Sequence, residues 1–163
     1  MEQSKAGIPW VGAVLYNDQG QILLVRKKKH ERKGKIIWKL PGGQLSPTSL
    51  TPSASRLELE TATVIKEVNE ETGIQLAAAD LEILTDRMMP WLIDGQEVLR
   101  RAVLFLAQVK DDRLAVHDQT EIAEARWWNW PEVKNQKLPG TVDNLVELVA
   151  QEYADRIKPM IDL

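Results

Sequence analysis

Apolar and polar positions divide the chain into short segments with a period close to two, then one long segment with a helical period, then strands and a helix again. Pro9 to Tyr16 (Pro-Trp-Val-Gly-Ala-Val-Leu-Tyr) reads as a strand, Asn17-Asp18-Gln19-Gly20 as a turn, and Gln21 to Val25 as the second strand of a hairpin. Ile36 to Leu40 is a short strand that feeds Pro41-Gly42-Gly43, and the polar, proline-containing stretch from Ser46 to Ser55 reads as a loop. The stretch Glu58 to Ile74 reads as a helix that ends at Gly73, because glycine accepts the left-handed conformation past a last turn. Leu81 to Met89 is expected to be a strand stopped by Pro90, Asp94-Gly95 a hairpin turn, and Val98 to Val109 a long strand. Trp127 to Trp130 is a further short strand, and Thr141 is expected to cap a final helix through about Ile157 with Leu145, Leu148 and Val149 on one face. Strands, helix, strands, helix is the order of a mixed sheet covered by helices, an α/β (α+β) fold in a single domain spanning residues 1–163.

The helical segment carries the chemistry. Glu67, Glu70 and Glu71 stand at i, i+3 and i+4, so their carboxylates share one face, while Ile65, Val68 and the Thr72 methyl fall on another. Like charges at that spacing weaken a helix by a few tenths of a kcal/mol per pair, roughly. A divalent cation reverses the sign, since hard ions such as Mg2+ and Mn2+ bind carboxylate oxygens. Alone, three glutamates also describe an ordinary solvated helix face; the Gly42-Gly43 pair upstream, which lets backbone come close to a ligand or metal, favours a site. Glu58 lies nine residues before Glu67, on the opposite side of a continuous helix, so it can serve the same site only if the helix begins after it; Glu60 is its rival.

Gly43, Glu58 and the run Lys66-Glu67-Val68-Asn69-Glu70-Glu71-Thr72-Gly73-Ile74 resemble the signature of the Nudix hydrolase superfamily: Gly, five residues, Glu, seven residues, Arg-Glu-aliphatic-any-Glu-Glu-any-Gly-aliphatic. From Glu58 onward the spacing agrees. Two departures stand out: residues 44–57 separate Gly43 from Glu58 where the signature has only five, and Lys66 occupies the arginine position. The resemblance implies a Nudix-type α/β/α sandwich and Mg2+-dependent hydrolysis (Mn2+ as an alternative) of a phosphoanhydride in a nucleoside diphosphate linked to another moiety, such as ADP-ribose or a nucleotide sugar. It also implies roles: Glu70 and Glu71 as main metal ligands, Glu67 sharing a metal or activating water, Glu58 at the cluster's edge, Gly43 offering its carbonyl to a metal, and Lys66 holding a glutamate with less orientation than an arginine fork. A further glutamate from a loop before a late strand would complete the site, with Glu121 as candidate and Glu124 as rival. The alternatives are a house-cleaning nucleoside triphosphate pyrophosphohydrolase and a non-catalytic nucleotide-binding regulatory module.

Charge and composition narrow the substrate side. Arg26, Lys27, Lys28, Lys29, Arg32, Lys33 and Lys35 form a basic stretch that is either a solvated loop or an attractor for polyphosphate; Arg26, at a strand end, is the best-placed candidate for phosphate. Six tryptophans beside one phenylalanine suggest base stacking as well as core packing; Trp38 and Trp127 read as core, and Trp10 and Trp91 as candidate substrate contacts. Pro90, sixteen residues past Ile74, resembles the ADP-ribose pyrophosphatase branch. The insertion reads as a tolerated surface excursion or a substrate wall. A chain without cysteine and with two histidines has no disulfide and little basis for a zinc site, and a net charge of -3 argues against general nucleic-acid binding. No apolar run approaches a membrane span and Met1 to Lys5 opens no signal peptide, so a cytoplasmic protein is the expectation, with a homodimer left open.

Overall fold

A computed structural model describes residues 7–45, 55–93 and 95–155. Its centre is a pair of strands buried on both faces: β1 (Trp10–Tyr16), buried throughout, and β2 (Gln21–Lys27). That is why both read as near-continuous apolar runs. Asn17 closes the turn between them, its Oδ1 accepting from the backbone N–H of Gln19 and Gln21. The chain continues through α1 (Lys28–Glu31), β3 (Ile37–Lys39), β4 (Gly42–Gln44), α2 (Arg56–Thr72), β5 (Glu82–Ile93), β6 (Gln96–Gln108), β7 (Ile122–Asn129), α3 (Trp130–Lys134), β8 (Thr141–Val142) and α4 (Asn144–Glu152).

The eight strands form one mixed sheet with the path β5-β6-β1-β2-β3-β8. β1 runs parallel to β6 along its whole length, and β2 is antiparallel to β7. β1 and β2 meet each other only at Tyr16 and Ile22, then part. β4 fills the gap on the β1 side, with Val11 opposite Gly43 and Gly12 opposite Gly42, and β3 fills it on the β2 side, with Val25 opposite Lys39. The Leu40-Pro41 link therefore carries the chain across a V-shaped opening in the sheet, and the glycine pair lands beside the start of β1.

Each face of the sheet has its own core. Val11, Ala13, Leu15, Leu23, Val103 and Phe105 pack under Val64 and Val68 of α2. Trp10, Val14, Leu24, Trp38, Leu104 and Trp128 pack under Leu145, Val146, Leu148 and Val149 of α4. The alternation along β1 and β2 assigns successive residues to opposite helices. The arrangement is the expected sandwich.

Several boundaries differ from the sequence expectation. β5 runs through Pro90, which pairs with Leu99, and does not stop there. β5 is the outermost strand, and an edge position tolerates a residue without an N–H. Thr141 does not cap the last helix; it lies in β8, and the carboxylate of Asp143 caps α4 by accepting from Val146 N–H at 3.0 Å. The strand that includes Trp127 begins at Ile122, and Trp130 opens α3 with Pro131 in its first turn, where a missing N–H costs nothing. The basic stretch after β2 contains the single helical turn α1. Stretches 46–54 and 156–163, which hold most of the insertion and the expected end of the last helix, lie outside the described residues, as does Asp94. Among the described residues no helix is long and apolar enough to cross a membrane.

Candidate active site

Helix α2 is defined at both ends. Ser55 caps it by accepting from Glu58 N–H at 3.2 Å, and Gly73 ends it at φ 78°, its N–H donating to the Asn69 carbonyl at 2.9 Å. Val64 and Val68 face the sheet, which rotates Glu67 and Glu71 toward the opening filled by β4.

Glu71 is 2 % exposed, and its Oε1 accepts from the backbone N–H of Gly42 at 3.1 Å. Burial pushes its carboxyl up to about 8; Glu67 and Glu121 add to the rise, while Lys27 and the Gly42 N–H oppose it. Glu67 is also raised, first by burial, then by Glu70 and Glu121. A Cβ placed on Gly43 would lie 2.7 Å from the Glu67 Cδ, so glycine is what lets this strand pass the carboxylate. Gly42 is more tightly constrained on the other side, where an added Cβ would lie 2.2 Å from the Val11 carbonyl oxygen and 2.8 Å from Cη2 of Trp10. The glycine pair is thus a thin wall between the acidic helix face and the aromatic core.

Glu70 lies at the outer edge, with Lys66 Nζ 3.7 Å away, one turn earlier. Its carbonyl accepts from the N–H groups of His117 (3.0 Å) and Asp118 (2.9 Å), tying the loop before β7 to the end of α2. That loop brings Glu121 into the field felt by both Glu67 and Glu71. Glu124 instead bonds Arg26, at 3.1 Å, on the other side of the β2–β7 ladder.

Other candidates are placed elsewhere. Glu58 stands inside α2, in its first turn, because the helix starts at Arg56 rather than after Glu58; nine residues at 100° each put it on the far side, about 13 Å along the axis from Glu67. There it lines an apolar groove with Leu57, Ala62, Ile65, Leu81 and Phe105. Glu60 is not on the acidic face: it is 2 % exposed, with Oε1 2.9 Å from Arg101 Nη1 and 3.2 Å from Arg56 Nε. These are contacts of charge rather than aligned hydrogen bonds. Arg26 pairs with Glu31 and Glu124 and lies 5.3 Å from the Trp38 ring centroid, so its guanidinium is already engaged. Trp10 is 5 % exposed and belongs to the α4-side core; Trp91, half-buried, packs on it at 6.1 Å and carries the Arg100 guanidinium 5.2 Å from its centroid. Trp10 therefore offers a ligand little more than an edge. Trp38 is core, as its 2 % exposure and edge contact with Trp128 at 5.0 Å indicate, and Trp127 is partly buried, its Nε1 donating to the Asp112 carbonyl.

Sequence reasoning misses Lys39, names Gly42 only as half of the glycine pair, and names Lys27 only within the basic stretch, where it prefers Arg26. Lys27 acts on Glu67 and Glu71, and Lys39 feels Glu71. The signal for Lys39 was available: it is the one polar residue in Ile36 to Leu40, and alternation sets it opposite Trp38.

The donor set is all carboxylate and backbone oxygen, which suits a hard divalent cation and no softer metal. A cation beside Glu71 would compensate the burial that now disfavours its charge. Among the described residues, however, no three carboxylates converge closely enough to hold an ion, so the side chains of Glu67 and Glu70 would have to turn inward to complete a cage.

A family model described as the NUDIX domain matches residues 8–149. The chain belongs to the Nudix family. It is 27 % identical over 180 aligned positions to an RNA pyrophosphohydrolase of Novosphingobium aromaticivorans, covering 99 % of this chain and all of that protein. It is 28 % identical to Nudix hydrolase 2 of Arabidopsis thaliana over 77 % of this chain and 40 % of that one. In fold it is similar to the NUDIX domain of Shewanella oneidensis NrtR solved with ADP ribose (TM-score 0.68, 24 % identity, 94 % and 90 % coverage) and to a MutT NUDIX hydrolase from Burkholderia pseudomallei (TM-score 0.65, 23 % identity, 93 % and 98 % coverage). As a Nudix protein it is a hydrolase of phosphoanhydrides, and Nudix hydrolases generally use divalent metals.

Proposed function

We propose that this Nudix chain hydrolyses the phosphoanhydride of a nucleoside diphosphate linked to another moiety, with Mg2+ or Mn2+ held by Glu67, Glu70 and Glu71. The observation that carries the reading is the placement of a buried carboxylate, Glu71, against the Gly42-Gly43 turn and beside Glu67, with no ion pair within 4.0 Å among the described residues. When bound, the metal supplies charge neutralisation at phosphorus and a more acidic water. The chain's part is to aim and hold. Gly42 N–H fixes one oxygen of Glu71, Gly43 pairs with Val11 in the β1–β4 ladder and leaves room for the Glu67 carboxylate, Lys66 orients Glu70, and Glu121 adds a fourth carboxylate to the field.

The ADP-ribose bound to the NrtR domain supports a two-ended diphosphate substrate. A second reading, a substrate ending in free phosphates, is supported by the RNA pyrophosphohydrolase that matches along its whole length. A regulator without turnover is disfavoured because every glutamate of the signature is present.

The test is phosphate release from ADP-ribose, nucleotide sugars, dinucleoside polyphosphates and nucleoside triphosphates, with and without Mg2+. Hydrolysis should require the metal, and Glu70→Gln should remove at least about 99 % of it while leaving the circular dichroism spectrum intact. Undiminished turnover in Glu70→Gln would take Glu70 out of the mechanism, and binding without turnover across the panel would point to a regulatory module.

A further inference from the structure

The basic stretch that begins at the end of β2 offers several cations, and the fold divides them. Arg26 turns to the Trp38 side and is held by Glu31 and Glu124. The Lys28 ammonium donates to the Gln119 carbonyl, and Lys66 accompanies Glu70. Lys27 and Lys39 go the other way. Val25 is the cross-strand partner of Lys39 and Arg26 that of Trp38, so Lys39 shares the face of Val25. Lys27 ends β2, past a shift in the β2–β7 register between Arg26 and Lys27, and is placed on this side by the field it exerts on Glu67 and Glu71. Trp38 packs in the α4-side core, hence this opposite face is the α2 side, where the carboxylates stand.

Electrostatics agree with the register. Lys27 acts on Glu67 and Glu71, and Lys39 senses Glu71 and Lys27. Neither lysine has an ion pair within 4.0 Å among the described residues. Burial brings the Lys39 ammonium down to about 8, Asp143 opposing and Lys27 and Lys29 reinforcing the drop. Asp143 and Glu71 offset the drop only in part, and an anion set between Lys27 and Lys39 would relieve the rest.

We infer that Lys27 and Lys39 form a seat for a phosphate group of the substrate, and that its double positive charge selects a terminal phosphate over an esterified one. A terminal phosphate carries about -1.5 to -2 charges at neutral pH, whereas each phosphate of a doubly esterified diphosphate carries only about one. Lysine suits this task, being a compact point charge that phosphoryl oxygens can approach from several directions. The inference rests on the hydrolytic reading above and moves it from ADP-ribose toward nucleotides with a free phosphate end. A nucleoside triphosphate and a 5′-triphosphorylated RNA end share that chemistry.

The experiment has two arms. In the first, the Mg2+-loaded enzyme and its Lys27→Met, Lys39→Met, Lys39→Arg and Lys35→Met variants are assayed on GTP, a 5′-triphosphorylated oligoribonucleotide and ADP-ribose. Lys27→Met and Lys39→Met should raise KM for the two triphosphates about tenfold or more, with kcat and the KM for ADP-ribose changing less than about threefold. Lys39→Arg should recover most of the loss, and Lys35→Met, in the exposed loop, should match the parent. Preference between the two triphosphates tells mononucleotide from RNA end. In the second arm, inorganic tripolyphosphate is titrated calorimetrically into metal-free protein, where the two methionine variants should bind about tenfold more weakly. Unchanged KM and unchanged tripolyphosphate binding in both variants would overturn the seat, as would a tenfold KM effect from Arg26→Met with none from the lysines. Lysine-dependent tripolyphosphate binding by a protein that hydrolyses nothing would leave the seat standing and overturn the catalytic reading instead.

Discussion

The two ends of α2 each bury a glutamate to the same 2 % exposure, and the fold treats them in opposite ways. Glu60, in the second turn, is met by Arg101 and Arg56, and Arg101 is itself held by Asp86 at 2.6 Å. Glu71, in the last turn, is met by one backbone N–H and by other carboxylates, with Lys27 acting on it from beyond ion-pair distance. A buried charge is tolerated when an opposite charge lies against it, and otherwise is disfavoured or neutralised. Glu60 is therefore a structural acid whose counter-charge the chain supplies. Glu71 is an acid that no cation pairs within 4.0 Å among the described residues, and burial leaves its charge disfavoured. Position on a helix and depth of burial do not distinguish the two; the partner does.

That contrast can be broken by substitution. The largest effect is expected from Glu71→Gln, which should lower kcat at least about 100-fold while leaving the melting temperature of the metal-free protein at pH 8 unchanged or raised. Glu60→Gln should do the reverse, costing about 2 kcal/mol in chemical denaturation because Arg101 loses a charged partner, with kcat changed less than about threefold. If both variants lost stability equally, the distinction between the two acids would fail. Gly43→Ala comes next. Its added methyl meets the end of the Glu67 side chain, which can swing away, so the fold should survive while kcat falls about tenfold through a displaced carboxylate.

The smallest effect sharpens the comparison through pH. Glu71 has a folded-state pKa near 8, raised from the 4.5 of an ordinary glutamate. Between those values the native state holds the proton more tightly than the unfolded chain does. Metal-free stability from this group is thus fully present below pH 4.5 and lost as pH rises through about 8. The melting temperature of the parent relative to Glu71→Gln should accordingly fall on going from acidic to alkaline buffer across that window, and Mg2+ should flatten the difference. A difference that rises with pH would show that Glu71 is stabilised as an anion already.

Much of the fold was legible because period-two and helical patterns survive in a sheet packed on both sides. β1 and β2 have nearly the expected bounds, and Gly73 ends α2 as expected. Pro90 misled because whether a strand tolerates proline depends on whether it lies at an edge, which is a property of the assembled sheet. Thr141 misled because β8 pairs with β3 and moves the cap two residues on, to Asp143. At the site, Arg26 drew attention as the better-fixed cation, but strand register turns it toward Trp38 and Glu124 and turns Lys39 the other way, where Lys27 also acts on the carboxylates.

By itself the sequence determined that three carboxylates share one helix face, that a glycine ends that helix, and that a glycine pair follows a short apolar strand. Those are local properties of spacing and backbone freedom. Only the tertiary structure decided which buried acid is paired and which cations face the cluster, because a charge's role depends on the groups that the sheet brings to it from distant parts of the chain. Glu60 and Glu71 share a helix and a residue type, and what separates them is Arg101 on β6 and Gly42 on β4.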